Sequence, residues 1–77
     1  MRKHDEYIVE LGKILRSLRQ KKGLTLEEAE EVADIDWKWL QKVEQGKKDI
    51  QLSSIITLCT GYKIQPATLF KKLKIRL

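Results

Sequence analysis

Residues Gly23 to Gly46 read GLTLEEAEEVADIDWKWLQKVEQG, and local chemistry alone places two short helices in them. Thr25 precedes Glu28 by three residues, the spacing of a capping box. In that arrangement the hydroxyl takes a backbone N–H of the first turn and the carboxylate reaches back to the N–H of the cap residue. A helix is therefore predicted over residues 26–33, with glutamates near its start, where the helix dipole favours them. Asp34, Ile35 and Asp36 form a tight link, and Asp36 is a good N-cap for a second helix over 37–45 that Gly46 stops. In that second helix, Leu40 and Val43 turn inward, following Ile35, while Lys38, Gln41 and Lys42 share the other side.

Steps of three and four continue on both sides of this unit. Upstream, Ile8, Leu11, Leu15 and Leu18, widened by Ile14, predict a helix over 5–22 that ends at Gly23, with Arg16, Arg19, Lys21 and Lys22 elsewhere on its surface. Downstream, GKKDIQ reads as a loop. Leu52, Ile55, Ile56, Leu58 and Cys59 then predict a helix over 52–60 that Gly61 and Tyr62 end. Pro66, whose missing N–H costs nothing at a first helical position, opens a helix over 66–72 with Leu69, Phe70 and Leu73 as its inner face. The closing KLKIRL alternates apolar and basic residues and reads as an edge strand or a continued helix. Five short helices on tight connectors, without repeat or linker, predict one compact all-α domain.

A chain of 77 residues has a core that stabilises it by only about 3 to 5 kcal/mol, so it is expected to lean on tight helix packing, a partner, or both. The net charge of +5 favours a polyanion, with nucleic acid the first candidate and an anionic membrane surface the second. A membrane-surface helix would carry its lysines along one large apolar face, whereas here they are spread over several elements. No long apolar segment or signal peptide is present, and the expected setting is cytoplasmic. Cys59 lies in an apolar run and reads as a small packed hydrophobe. No metal-ligand spacing or cofactor motif is visible. His4 is alone, no nucleophile has a base nearby in sequence, and there is no phosphate-binding glycine loop, so an enzyme is not expected.

The stretch from Gly23 to Gly46 resembles the helix-turn-helix of Cro and phage repressors, the xenobiotic-response-element family of bacterial regulators. The resemblance rests on Gly23, Leu24, Thr25, Glu27, Glu28, Ile35, Leu40, Val43, Glu44 and Gly46, in register without a gap. LGKILRSLRQKKG resembles that family's first helix and KKDIQLSSIITLCTGYKIQPATLF its last two, so the likeness runs from about Leu11 to Phe70. The DIQLSSI segment looks most like the controller proteins of restriction-modification systems.

The resemblance implies a five-helix repressor-like DNA-binding domain. It assigns Trp37, Lys38, Gln41 and Lys42 to the side facing the major groove, and Lys47 and Lys48 to the phosphate backbone, with Thr25 joining the DNA-facing set. Gln pairs well with adenine and Lys with guanine, which suits Gln41, Lys38 and Lys42 to base edges. It also implies an ion pair between Arg19 and Glu44 that holds the reading helix at its angle. Solvated charges are the alternative for this pair and for the lysines, and Trp37 and Trp39 are equally readable as core anchors. Three positions depart from the family's pattern. Leu26 replaces a phosphate-bonding glutamine, Glu30 a small alanine, and Asp34 the turn glycine. Turning helix 2 so that Leu26, Ala29, Val32 and Ala33 face inward would send Glu30 to solvent.

Double-stranded DNA and a second copy of the chain are the partners expected, with Phe70, Leu73, Ile75 and Leu77 as the dimer surface. The expected function is a sequence-specific, homodimeric transcriptional regulator. The competing reading is a protein-interaction module whose hot spot is Trp37 and Trp39.

Overall fold

The apolar spacing of the first helix closes into α1 (Lys3–Lys21), which buries Leu11, Leu15 and Leu18 on one side. Its acidic first turn and basic last turn complement the helix dipole. In this computed structural model, which describes residues 3–76, four further helices follow. They are α2 (Leu26–Ala33), α3 (Trp37–Glu44), α4 (Leu52–Tyr62) and α5 (Pro66–Lys72). No strand occurs among the described residues.

α2 starts with the full capping box. The Glu28 N–H donates to the Thr25 hydroxyl at 3.1 Å, and the Thr25 N–H donates to the Glu28 carboxylate at 2.9 Å. It ends at Asp34, which takes the left-handed conformation at φ 53° and donates its N–H to the Glu30 carbonyl. An aspartate therefore serves where glycine would be usual, because its short polar side chain tolerates this region. The Asp36 carboxylate accepts the Lys38 N–H at 2.9 Å and starts α3.

α1 packs on α3, α2 lies against both α3 and α4, and α5 closes against α1 and α4. One core results, with Leu15, Leu40, Leu58, Leu69 and Val43 fully enclosed and Cys59 buried among them as a free thiol. Burial pushes the Cys59 pKa up, as it does for any thiol whose charged form loses water.

Several expectations are corrected. α4 does not stop at Gly61 but continues to Tyr62, and Lys63 at φ 56° is its left-handed cap. Gly61 is instead a site of close approach, since a β-carbon there would lie 2.7 Å from the Cα of Ala33. The inner face of α2 is Ala29 and Ala33, with Leu26 partly buried against the same core. Val32 is exposed, because small residues let α2 settle so close to α4 that a branched side chain one position away is turned outward. Leu52 and Ile56 of α4 are exposed in the same way, and so is Phe70, leaving Leu69 as the buried residue of α5. Beyond Lys72, which still belongs to α5, the described part of the KLKIRL tail is neither strand nor helix. It is held to α1 by Tyr7, whose hydroxyl accepts the Arg76 N–H at 2.9 Å and donates to the Arg76 carbonyl at 3.3 Å.

Candidate nucleic-acid interface

α3 has two unlike sides. Leu40 and Val43 point into the core, while Lys38, Gln41 and Lys42 lie exposed on the other side, with Gln45 following at the C-cap. The apolar pair thus fixes which residues an external partner can reach. Trp39 is half-buried and packs on the core. Trp37 is half-buried too, and the Lys38 ammonium sits 5.9 Å from the centre of its ring, close enough for a cation–π contact.

The C-terminal end of α3 is fastened to α1. Each nitrogen of the Arg19 guanidinium donates a hydrogen bond. Nε and Nη2 reach the two Glu44 carboxylate oxygens at 2.8 and 2.9 Å, and Nη1 reaches the Leu24 carbonyl at 2.8 Å. Both residues are 8% exposed, and the bond to Glu44 raises the Arg19 pKa above its ordinary value. Beside this pair, Gly12 lets the two helices touch through their backbones, for a β-carbon at that position would collide with the Val43 carbonyl oxygen. The Tyr62 hydroxyl is buried close by without a hydrogen bond to any described residue. Burial first, and then the Glu44 charge, push its pKa up to about 12.

The N-terminal end of α3 is held at the surface. Besides the Asp36 cap, the exposed Glu30 carboxylate accepts the Trp37 N–H at 3.0 Å across the turn. Glu30 is thus turned to solvent and employed, and its carboxylate is a second cap on α3. Sequence reasoning missed this role, because a contact seven residues apart across a left-handed turn follows no helical or capping period.

The other DNA-facing candidates are dispersed. Thr25 is exposed, but its hydroxyl oxygen and N–H are engaged in the capping box. Lys47 and Lys48 are exposed beyond the end of α3, in a cleft shared with Asp5, Gly46 and Asp49. They do not line the separate cleft beside Gln41, whose walls are Arg16, Arg19, Leu26, Gln41, Glu44 and Gln45. Arg16 and Gln45 were not among the expected residues, although Arg16 lies one helical step from Arg19.

Of the candidate dimer residues, Phe70 and Ile75 are exposed at 41% and 58%. Leu73 is half-buried in a groove with Tyr7, Ile8 and Leu11, and Leu77 lies outside the described residues. Among the described residues no helix is long and apolar enough to cross a membrane, and no cluster of His, Cys, Asp or Glu is arranged to hold a metal ion.

Comparison with known proteins places these helices in context. The helix-turn-helix domain family matches residues 10–69. The structure is similar to the restriction-modification controller protein C.AhdI from Aeromonas hydrophila, with 33% identity and a TM-score of 0.84, over 90% of this chain and 100% of that one. It is also similar to the clp gene regulator ClgR from C. glutamicum, with 27% identity and a TM-score of 0.81, over 87% of each chain. A helix-turn-helix transcriptional regulator from Vibrio cholerae shares the fold at 16% identity and a TM-score of 0.83, over 87% of this chain and 38% of that one. No curated protein matches in sequence.

Proposed function

Since the chain belongs to the helix-turn-helix domain family, we propose that it is a DNA-binding transcriptional regulator that acts as a homodimer on a two-fold related, sequence-defined site. The observation that carries this reading is the division of α3. Leu40 and Val43 lock one side into the core, so Lys38, Gln41 and Lys42 stand together on a side that the protein's own residues leave uncovered. A helix presented this way fits the major groove. There the Gln41 amide can pair with an adenine edge and the two ammonium groups with guanine acceptors or phosphate. The likeness to a controller protein and to a gene regulator supports the same reading.

Affinity from one copy is expected to be modest. α2 exposes Glu27, Glu28, Glu30 and Glu31 beside the reading helix, and these repel phosphate. Two copies placed one helical turn apart, about 34 Å, combine two weak contacts into a useful one. The exposed Phe70 and Ile75 are the groups that such an association would cover.

Selection from a random-sequence duplex library across a range of salt tests the regulator. A recovered two-fold related motif is expected. Weak, salt-steep binding without a motif would refute sequence-specific reading and favour the protein-interaction module built on Trp37 and Trp39. Sedimentation with and without Lys74 to Leu77 tests the dimer, and a monomer in both cases ends that part of the proposal.

A further inference from the structure

Beyond α5 the chain turns back across the first turns of α1. Leu73 is extended and half-buried, and with Tyr7, Ile8, Leu11 and Asp49 it lines a groove of about 230 Å³. Three residues on, the backbone of Arg76 meets the Tyr7 hydroxyl, and Arg76 shares an open cleft with Glu6, Val9, Glu10 and Lys13. On the helical wheel Ile8 and Leu11 fall to one side of Tyr7 and Glu6 and Glu10 to the other, so the segment crosses α1 at Tyr7. It is a strap. One hydroxyl both accepts the Arg76 N–H and donates to the Arg76 carbonyl, the two kinds of bond that a neighbouring strand gives a residue in a sheet. Lys74 and Ile75, between the two anchors, are exposed.

The strap and the strip beside it carry opposite charges. Lys74 and Arg76 stand on the strap, Glu6 and Glu10 one turn apart on α1, and no ion pair joins these four among the described residues. Patches of opposite sign lying side by side are complementary to themselves under a two-fold rotation. That matters in a chain of net charge +5, whose copies repel one another on average. We propose that this edge receives a second copy of the chain, with Lys74 and Arg76 of each copy against Glu6 and Glu10 of the other, Ile75 enclosed between them, and the Tyr7 hydroxyl as the clasp that holds the strap ready. The assignment rests on the homodimer reading above and names the residues that set its register. Tyr7 is a positioning residue. A free tail would have to be ordered as the copies meet, and the clasp removes that cost beforehand. The edge continues the surface assigned above to Phe70 and Ile75, since α5 leads directly into the strap.

Sedimentation of the full chain over a range of concentrations is the test. Tyr7→Phe is expected to weaken self-association by about three- to ten-fold, the worth of one or two hydrogen bonds, while circular dichroism stays unchanged and exchange of the Arg76 amide quickens. Ile75→Ala should weaken the wild type but add little in Tyr7→Phe, because both act through one strap. Charge reversal reads the register. Glu6→Lys with Glu10→Lys removes the acidic half of the edge, and Lys74→Glu with Arg76→Glu removes the basic half of the strap. Each of these double variants alone should associate about ten-fold more weakly than the wild type, and an equal mixture of the two should pair again, which also shows that both are folded. A mixture that pairs no better than its components overturns the proposal. So do additive losses in the Tyr7 and Ile75 variants, or a Tyr7→Phe chain that associates as tightly as the wild type, and each of these results leaves the homodimer intact at another surface. A wild type that stays monomeric at every concentration overturns both.

Discussion

The two ends of α3 are held by opposite means. Its C-terminal end is welded into the interior through a buried, doubly bonded ion pair and a backbone contact at Gly12. Its N-terminal end rests on two exposed carboxylates, Asp36 and Glu30, each taking one backbone N–H. A buried charge is strongly held because its partner cannot fall back on water, whereas a surface cap competes with water at every moment. The helix is therefore a rod fixed at its base. Trp37 and Lys38 ride on the lightly held end, and Gln41 lies nearer the fixed one.

The largest break in this contrast is Glu44→Ala. It strands the Arg19 guanidinium at a buried site and is expected to cost about 3 to 5 kcal/mol, enough to unfold much of a domain this small at room temperature. Urea denaturation measures the loss. Replacing the pair together, Arg19→Met with Glu44→Leu, is expected to recover most of it, since no charge is then left unpaired. If the double variant is as unstable as the single one, the weld is packing rather than charge.

Tyr62 gives the buried end a pH signature. Its neutral phenol is favoured in the fold, where the pKa is about 12, over the unfolded chain, where the ordinary value is 10.0. Stability from this group is intact below the unfolded value and is lost as pH rises towards the folded one, by about 1.4 kcal/mol per pH unit. Because lysines also titrate in that range, the measurement is the difference between the wild type and Tyr62→Phe. That variant should gain relative stability between pH 10 and 12 and lose nothing at neutral pH, since the hydroxyl has no hydrogen-bond partner among the described residues.

Gly12→Ala comes next. At an exposed helical position the change would gain up to about 1 kcal/mol of helix propensity. Here the new methyl meets the carbonyls of Val43 and Glu44, which are backbone and cannot swing aside, so a net loss of about 1 to 3 kcal/mol is expected by thermal melting. A stabilised variant would show that α3 can shift along α1 without cost.

Much of this arrangement is legible in the chain. Apolar steps and the Thr25–Glu28 and Asp36 caps place the helices within a few residues, because each is a local rule with its own hydrogen bond. Other features depend on how helices meet, and sequence periodicity is silent there. Gly61 reads as a helix stop and Gly12 carries no signal of its own, yet at each a β-carbon would meet the backbone of another helix. Val32, Ile56 and Phe70 sit at apolar steps but face solvent, because five short helices offer fewer buried places than there are apolar side chains. Arg16 was visible only as one cation among many. What distinguishes it is that Arg19, one turn away, is already taken.

The smallest effects belong to the surface end and sharpen the contrast most. Asp36→Ala is expected to cost about 1 kcal/mol, the usual worth of an N-cap, and Glu30→Ala less, since a longer exposed side chain gives up more freedom to make one bond. The two carboxylates serve different donors, the N–H groups of Lys38 and Trp37, so their losses should add, and amide exchange at Trp37 alone should quicken in Glu30→Ala. Glu30→Gln separates geometry from charge. Its amide oxygen can still accept the Trp37 N–H, so exchange there should change little, while the negative charge beside the reading helix is gone. Duplex affinity at low salt should then rise by about two-fold, and the gain should vanish as salt is raised. If affinity falls instead, Glu30 does more for DNA binding by positioning Trp37 and Lys38 than it costs by repelling phosphate, and the lightly held end is the one that binding depends on.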